Sequence, residues 1–291
     1  MAAEHIRKWR VGNVEIARIA ELYGFEDHLW MLLPNATPEF MLKYEWLRPH
    51  FATSDGRMIL NFQCFVLRSQ GLSVMIDTCI GAGRAREYDV FCNLETSFLD
   101  DLRVAGFPHE EIGAVLCTHL HFDHVGWNTH QVDGKWVPTF PKARYLFGRK
   151  EWAHWQHLRS TGGYHHMEHL IDSIDPVVDA GLTELIDPDF QLTDELSLIP
   201  TPGHTPGHVS VLIRSQGEEA VITGDLMHHP IQFAVPRIEA NFDMDKPAGA
   251  RSRGEFIERF ADSRTLVIGS HFAEPTAGHI VSDGDAWQFK V

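Results

Sequence analysis

The sequence predicts an α+β fold, a four-layer αβ/βα sandwich with two sheets inside and helices outside. Three observations predict it. Strand-like and helix-like segments alternate through two comparable halves. Within each half, short apolar runs end on histidine or aspartate. No repeat, low-complexity tract or charge block breaks the 291 residues, so residues 1–291 read as one domain.

The elements follow in order. Val14 to Ala20 alternates as a strand, and Asn61 to Arg68 and Leu72 to Asp77 form a strand pair around the turn Ser69-Gln70-Gly71. A helix is predicted from about Leu94 to Val104, with Leu94, Phe98, Leu99 and Leu102 on one side and Gly106-Phe107-Pro108 ending it. Ile112 to Cys117 is a buried-type strand that runs directly to His119. In the second half, Glu195 to Ile199 and Val209 to Ile213 read as strands, and Ala220 to Thr223 leads into Gly224-Asp225. A helix from about Arg253 to Ala261 precedes the strand Thr265 to Ile268, which arrives at Ser270-His271. The irregular stretches are Gly24 to Gly56 and Thr161 to Pro176. The first holds apolar Leu29-Trp30-Met31-Leu32-Leu33, a candidate cover for the site, subunit contact or ordinary core segment.

Composition narrows the function. No run approaches 18 apolar residues, and the N-terminus lacks a secretory pattern, so the expectation is a cytoplasmic protein without a membrane partner. A formal charge of -15 argues against nucleic acid, whose phosphates it would repel. Cys64, Cys79, Cys92 and Cys117 lack paired spacing, and Cys64 and Cys117 read as buried thiols. Gly-x-Ser-x-Gly and a Walker-type phosphate loop are both absent.

The chemistry lies in His119-Leu120-His121-Phe122-Asp123-His124. Past a strand the chain stays extended briefly, and side chains two apart then point the same way, so His119 and His121 can converge on one cation. Asp123 and His124 follow, where a turn into a short helix sends ligands to a second position. Imidazole and carboxylate suit zinc, with iron, manganese or cobalt as other occupants. Thr201-Pro202-Gly203-His204-Thr205-Pro206-Gly207-His208, Gly224-Asp225 and Ser270-His271 all follow strands. Four strand ends carrying such side chains fit one open dinuclear site. Competing assignments are His208 for His204, His279 for His271, and Asp225 as a turn cap. Cys117 precedes the motif and is expected to face the core. His154, His157, His165, His166 and His169 lie in a polar, glycine-containing segment and are read as solvent-exposed.

In this order the motifs resemble the metallo-β-lactamase superfamily, from about Asn61 to His271. The resemblance implies His119, His121 and His204 on a first metal, and Asp123, His124 and His271 on a second, with Asp225 bridging. It implies two zinc ions sharing a hydroxide that Asp123 orients toward a carbonyl. Within the superfamily the chain is most similar to N-acyl homoserine lactone lactonases and methyl parathion hydrolase-like enzymes. Such lactonases often carry a tyrosine three residues after the bridging aspartate, where this chain has His228. That departure moves the resemblance toward the methyl parathion hydrolase side. His228 is a candidate donor to the leaving oxygen, with pocket wall as the other reading. Phe233 is expected to line an apolar pocket for a neutral substrate. The resemblance also implies a homodimer. The leading expectation is a hydrolase of lactones or related carboxylic esters. Phosphotriester, β-lactam or thioester hydrolysis, and a di-iron redox role, stand as alternatives.

Overall fold

Residues 6–26 and 31–291 are described by a computed structural model. The first sheet has seven strands: β1 (Ile6–Val11), β2 (Val14–Phe25), β3 (Leu60–Ser69), β4 (Leu72–Ile76), β5 (Ala114–Leu116), β8 (Arg144–Gly148) and β9 (Thr183–Ile186), hydrogen-bonded in that order. The pair β6 (Thr129–Val132) and β7 (Lys135–Pro138) stands apart as a small ribbon. The second sheet runs in chain order: β10 (Leu196–Pro200), β11 (Val209–Ser215), β12 (Glu218–Ile222), β13 (Leu266–Ile268), β14 (Ala277–Asp283) and β15 (Ala286–Lys290).

Alternating side chains on the facing strands make the inter-sheet core. Val14, Ile16, Phe65, Leu67, Val74 and Ile76 of the first sheet meet Val211, Ile213, Ala220 and Ile222 of the second. The first sheet's other face is covered by the helices Phe98–Ala105 and Arg149–Thr161. The second sheet's other face is covered by the helix Lys246–Phe260 and by the 33–60 segment. That gives four layers, as the alternation predicted.

Two parallel pairs position the site. Ile76 of β4 sits beside Leu116 of β5, and Ile222 of β12 beside Ile268 of β13. Parallel neighbours end at the same edge. Asp77, His119, Asp225 and His271 therefore emerge together at one rim of the sandwich.

Several boundaries differ from expectation, each for a local reason. The first predicted helix spans Phe98–Ala105, so Leu94 is outside it. The C-terminal helix starts earlier than Arg253, at Lys246. Asp245 caps the Ala248 N–H at 2.9 Å, and proline sits in the first turn. Thr161 to Pro176 is not simply a loop, since a π-helical turn at Leu170–Ile174 runs into the helix Asp175–Asp179. Within 24–56, Leu33, Met41, Leu47 and Phe51 are core, whereas Met31 and Leu32 face a cleft; Leu29 and Trp30 lie outside the described residues. Among the described residues, no helix is long and apolar enough to cross a membrane.

Candidate metal centre

Beyond β5 the chain bends at Thr118 and His119 instead of staying extended as expected, is extended at His121, and then enters a one-turn helix, Phe122–Val125, that carries Asp123 and His124. His121 Nδ1 lies 3.0 Å from His119 Nε2 and 2.8 Å from His204 Nε2. His271 Nε2 lies 3.3 Å from His124 Nε2 and 3.4 Å from Asp123 Oδ2. Asp225 stands between the two groups. Its Oδ1 is 3.1 Å from the Nε2 of both His124 and His271, and its Oδ2 is 3.5 Å from His204 Nε2 and 3.9 Å from His119 Nε2. One carboxylate thus faces both clusters.

The imidazoles are aimed from behind. His124 Nδ1 donates to Asp77 Oδ2 at 2.8 Å, and His271 Nδ1 to the Asn61 carbonyl at 3.0 Å. Thr118 Oγ1 donates to Asp77 Oδ2 at 2.9 Å, which leaves it to accept from His119 Nδ1 at 3.1 Å. His204 Nδ1 faces Asp243 Oδ1 at 3.2 Å. With Nδ1 carrying a proton in all four, each Nε2 points inward, where a cation would take its lone pair.

The repeated Thr-Pro-Gly-His has a packing reason. A Cβ on Gly203, at φ +138, would lie 2.1 Å from the backbone nitrogen of Gly249, and one on Gly207 would lie 2.3 Å from that of Glu151. Each glycine admits the backbone of a neighbouring helix. Glu151 then accepts from Leu120 N at 3.1 Å and Gly207 N at 3.1 Å, joining the His119–His121 segment to the His204 turn. His208 is no part of either cluster: its Nε2 accepts from Asp225 N at 2.8 Å, and its Nδ1 donates to Thr201 Oγ1 at 2.8 Å. It supports the loop, as expected of it. His279, held at the Thr265 carbonyl, and Cys117, buried beside Asn128, also stand outside the clusters.

The electrostatics ask for added positive charge. Burial strips hydration from His119 and His121, and neighbouring imidazoles repel, so both are held well below the ordinary imidazole range. Burial also opposes charge on His124, but Asp225, Asp123 and Asp77 outweigh it and push His124 well above that range. Burial opposes ionisation of Asp225, yet His124, His271 and His228 hold its carboxyl well below the usual range. Asp225 Oδ1 is buried without a hydrogen-bond partner among the described residues. Two nitrogens about 2 Å from one zinc stand roughly 3.3 Å apart at the tetrahedral angle. The observed separations fit that spacing, and the donor set fits a pair of divalent cations.

The site opens into a cleft lined largely by apolar side chains. Phe62, Phe91 and Phe122 form its wall, with Phe25, Met31, Leu32, Tyr88 and Phe242 further out. No lysine or arginine lines it among the described residues. The wall begins at the site itself, because the Phe62 ring meets His271 edge-on at 5.1 Å. His228 lines the same cleft. It is buried, neither ring nitrogen has a hydrogen-bond partner among the described residues, and its Nε2 lies 3.3 Å from Asp225 Oδ2. Burial lowers its pKa more than the nearby Asp225 charge raises it.

Two expectations need correction. Phe233 is fully buried in the core, stacked on Phe289 at 5.4 Å, and does not line the cleft. His169 is buried edge-on against Trp155, with burial driving its pKa down to about 3, and His154 is half-buried, while His157, His165 and His166 are exposed. Sequence reasoning missed Asp77, Glu151 and Asp243. The sign for Asp77 was a carboxylate ending an apolar strand; for the other two, lying far along the chain from Leu120, Gly207 and His204, which they hold, no local sign exists.

A superfamily model for metallo-β-lactamases matches residues 63–273. An N-acyl homoserine lactonase from a Bacillus species is 25% identical over 171 residues, covering 55% of this chain and 60% of the relative; the chain thus matches less than two thirds of that relative's length. Among solved structures, AidC, a dizinc quorum-quenching lactonase in complex with a product, N-hexanoyl-L-homoserine, superposes with a TM-score of 0.76 at 22% identity, covering 98% of this chain and 96% of that one. The hydrolase AbOPH in the β-lactamase superfamily gives 0.78 at 22%, covering 99% and 97%. With a model match over most of the chain, and sheets whose paired strand ends carry the motif histidines and aspartates, the chain belongs to the metallo-β-lactamase superfamily.

Proposed function

We propose that the protein is a metal-dependent hydrolase that opens a lactone or cleaves a related neutral carboxylic ester. The carrying observation is a pair of inward-facing imidazole clusters, sharing Asp225, at the floor of an apolar cleft that no lysine or arginine lines among the described residues. His119, His121 and His204 would hold one cation, Asp123, His124 and His271 the other, and Asp225 both. Zinc is the cation that the donor set favours, with iron, manganese or cobalt as alternatives. When bound, such cations act as Lewis acids and bring the pKa of water toward neutrality.

The chain's own groups do the rest. Asp123 orients the attacking water and accepts its proton as the oxygen bonds to the carbonyl carbon. The acyl C–O bond breaks, and the leaving oxygen takes the proton that Asp123 accepted, to give the hydroxy acid or alcohol. His228, whose pKa burial lowers, donates a hydrogen bond to that oxygen as its charge develops. The aromatic wall holds the apolar portion and excludes water from it. Away from the cations, the wall offers an anionic group no lysine or arginine among the described residues, which argues against a β-lactam or a glutathione thioester and leaves a phosphotriester, being uncharged, as the second reading.

The reading is tested by chelator-controlled turnover of an acyl homoserine lactone, an aryl ester, methyl parathion and a cephalosporin. The expected ranking places lactone or ester first and the cephalosporin last. Cephalosporin cleavage ahead of both would overturn it.

A further inference from the structure

Asp243 sits in the segment between the helices Ile231–Ala234 and Lys246–Phe260, and nothing in the proposed reaction uses it. Its carboxylate is completely enclosed. Oδ1 faces His204 Nδ1 at 3.2 Å and Oδ2 accepts from Arg253 Nη1 at 2.8 Å. Arg253 is itself 1% exposed and donates from Nε to the Pro236 carbonyl at 2.8 Å. Burying two full charges in this way is costly unless both are paired and fixed, so the arrangement sets a direction for the carboxylate rather than adding stability.

The backbone on either side is equally tied. Met244 N donates to the His204 carbonyl at 3.0 Å, and Asp245 N to the Gly203 carbonyl at 2.9 Å. A Cβ on Gly249 would come within 2.7 Å of Asp243 Oδ2, so the helix can press against the carboxylate only with glycine there. On the cleft side, Asn241 N and Nδ2 donate to the carbonyls of Leu32 and Met31 at 3.0 and 2.9 Å. One short strap therefore grips the His204 turn at one end and the cleft wall at the other.

From this geometry we infer that Asp243, held by Arg253, is a positioning residue that keeps the proton of His204 on Nδ1 and its Nε2 lone pair on the first cation, and so sets that cation's affinity. The inference rests on the reading of His204 as a ligand. It distinguishes the two cations, because the second cluster takes its carboxylate support from Asp77 on the opposite half of the sandwich. Loss of such support weakens metal binding by roughly 10–100-fold.

The test titrates cation-free protein with cobalt(II) against a competing chelator, following stoichiometry and the visible cobalt spectrum. Asp243→Asn keeps the shape but unpairs Arg253, so Asp243→Asn/Arg253→Met is measured beside it in case the single variant does not fold. Wild type is expected to take two ions. In the variants one dissociation constant rises roughly 10–100-fold with an altered band, the other is unchanged, and Asp243→Glu restores part of the loss. Two ions bound with wild-type constants and spectrum in the double variant would overturn the inference, as would equal weakening of both ions, which is the mark of a merely structural role. Fewer than two ions in wild type would overturn the site reading, and this inference with it.

Discussion

Replacing Glu151 by alanine isolates the link between the two halves of the site. Its carboxylate accepts from Leu120 N at 3.1 Å, Gly207 N at 3.1 Å and Trp155 Nε1 at 2.7 Å, all in the interior. Each donor left without a partner costs about 1–3 kcal/mol. Water entering the vacated space recovers part of that, so the expected loss is about 3–5 kcal/mol, toward the lower end of what three orphaned donors would give. At roughly 2–4 °C per kcal/mol for a domain approaching this size, the melting temperature falls by roughly 6–20 °C. Catalysis should suffer as well, because the His119–His121 segment and the His204 turn lose their common anchor. Thermal unfolding by circular dichroism, in chelator and in excess zinc, measures the first effect, and zinc affinity the second. Trp155→Phe, which removes one donor and orphans one lone pair, should cost only about 1 kcal/mol. A Glu151→Ala protein melting within about 2 °C of wild type, with unchanged zinc affinity, would refute the reasoning.

Three further outcomes follow from single contacts. Gly224 has φ +55, and a Cβ there would sit 2.6 Å from His208 Nε2. Gly224→Ala should therefore cost about 2–5 kcal/mol from backbone and overpacking together, and should displace Asp225 enough to lower zinc uptake; a variant with wild-type melting and uptake would contradict this. His229 donates from Nε2 to the Phe51 carbonyl at 2.7 Å and accepts at Nδ1 from Ile231 N at 3.1 Å, and burial lowers its pKa to about 4. The folded form thus binds its proton later than the unfolded form, whose imidazole titrates near 6.5. Stability is lost as pH falls from 6.5 through 4, by about 3 kcal/mol in total. His229→Asn should flatten that part of the denaturant-midpoint profile, and an equally steep profile would remove the assignment. His228→Ala should lower kcat by about 10²-fold or more with KM nearly unchanged and the pH–rate profile altered; full turnover with the same profile would leave His228 as wall alone.

The clusters were legible in the sequence for a reason of geometry. His119, His121, Asp123 and His124 are close in the chain, and strand ends deliver Asp225 and His271 to the same rim because their strands pair in parallel. The fold was legible where short apolar runs are bounded by turn residues, as in β3 and β4 around Ser69-Gln70-Gly71, and in β11, which like β3 is buried along nearly its whole length. Less visible were contacts between residues far apart. Glu151 meets Gly207 across 56 positions and Asp243 meets His204 across 39, and no local pattern reports either. The Phe233 expectation failed similarly, since nearness in sequence to Asp225 says nothing of which side of the chain faces the cleft. His169 failed because composition around it is polar, while the π-helical turn that follows begins in the core, at Leu170. The T-P-G-H repeat carried a signal beyond its histidines, in that both glycines mark backbone contacts with helices.

The central claim is that the two imidazole clusters around Asp225 hold a pair of catalytic cations. Elemental analysis of the purified protein tests it most directly, paired with lactone and ester turnover and repeated on His119→Ala and His271→Ala. About two zinc ions per chain are expected, close to one in each variant, with hydrolysis that vanishes with chelator and returns with zinc. Undiminished metal content in both variants, or an iron-loaded protein with a visible absorption band and no hydrolysis, would contradict it.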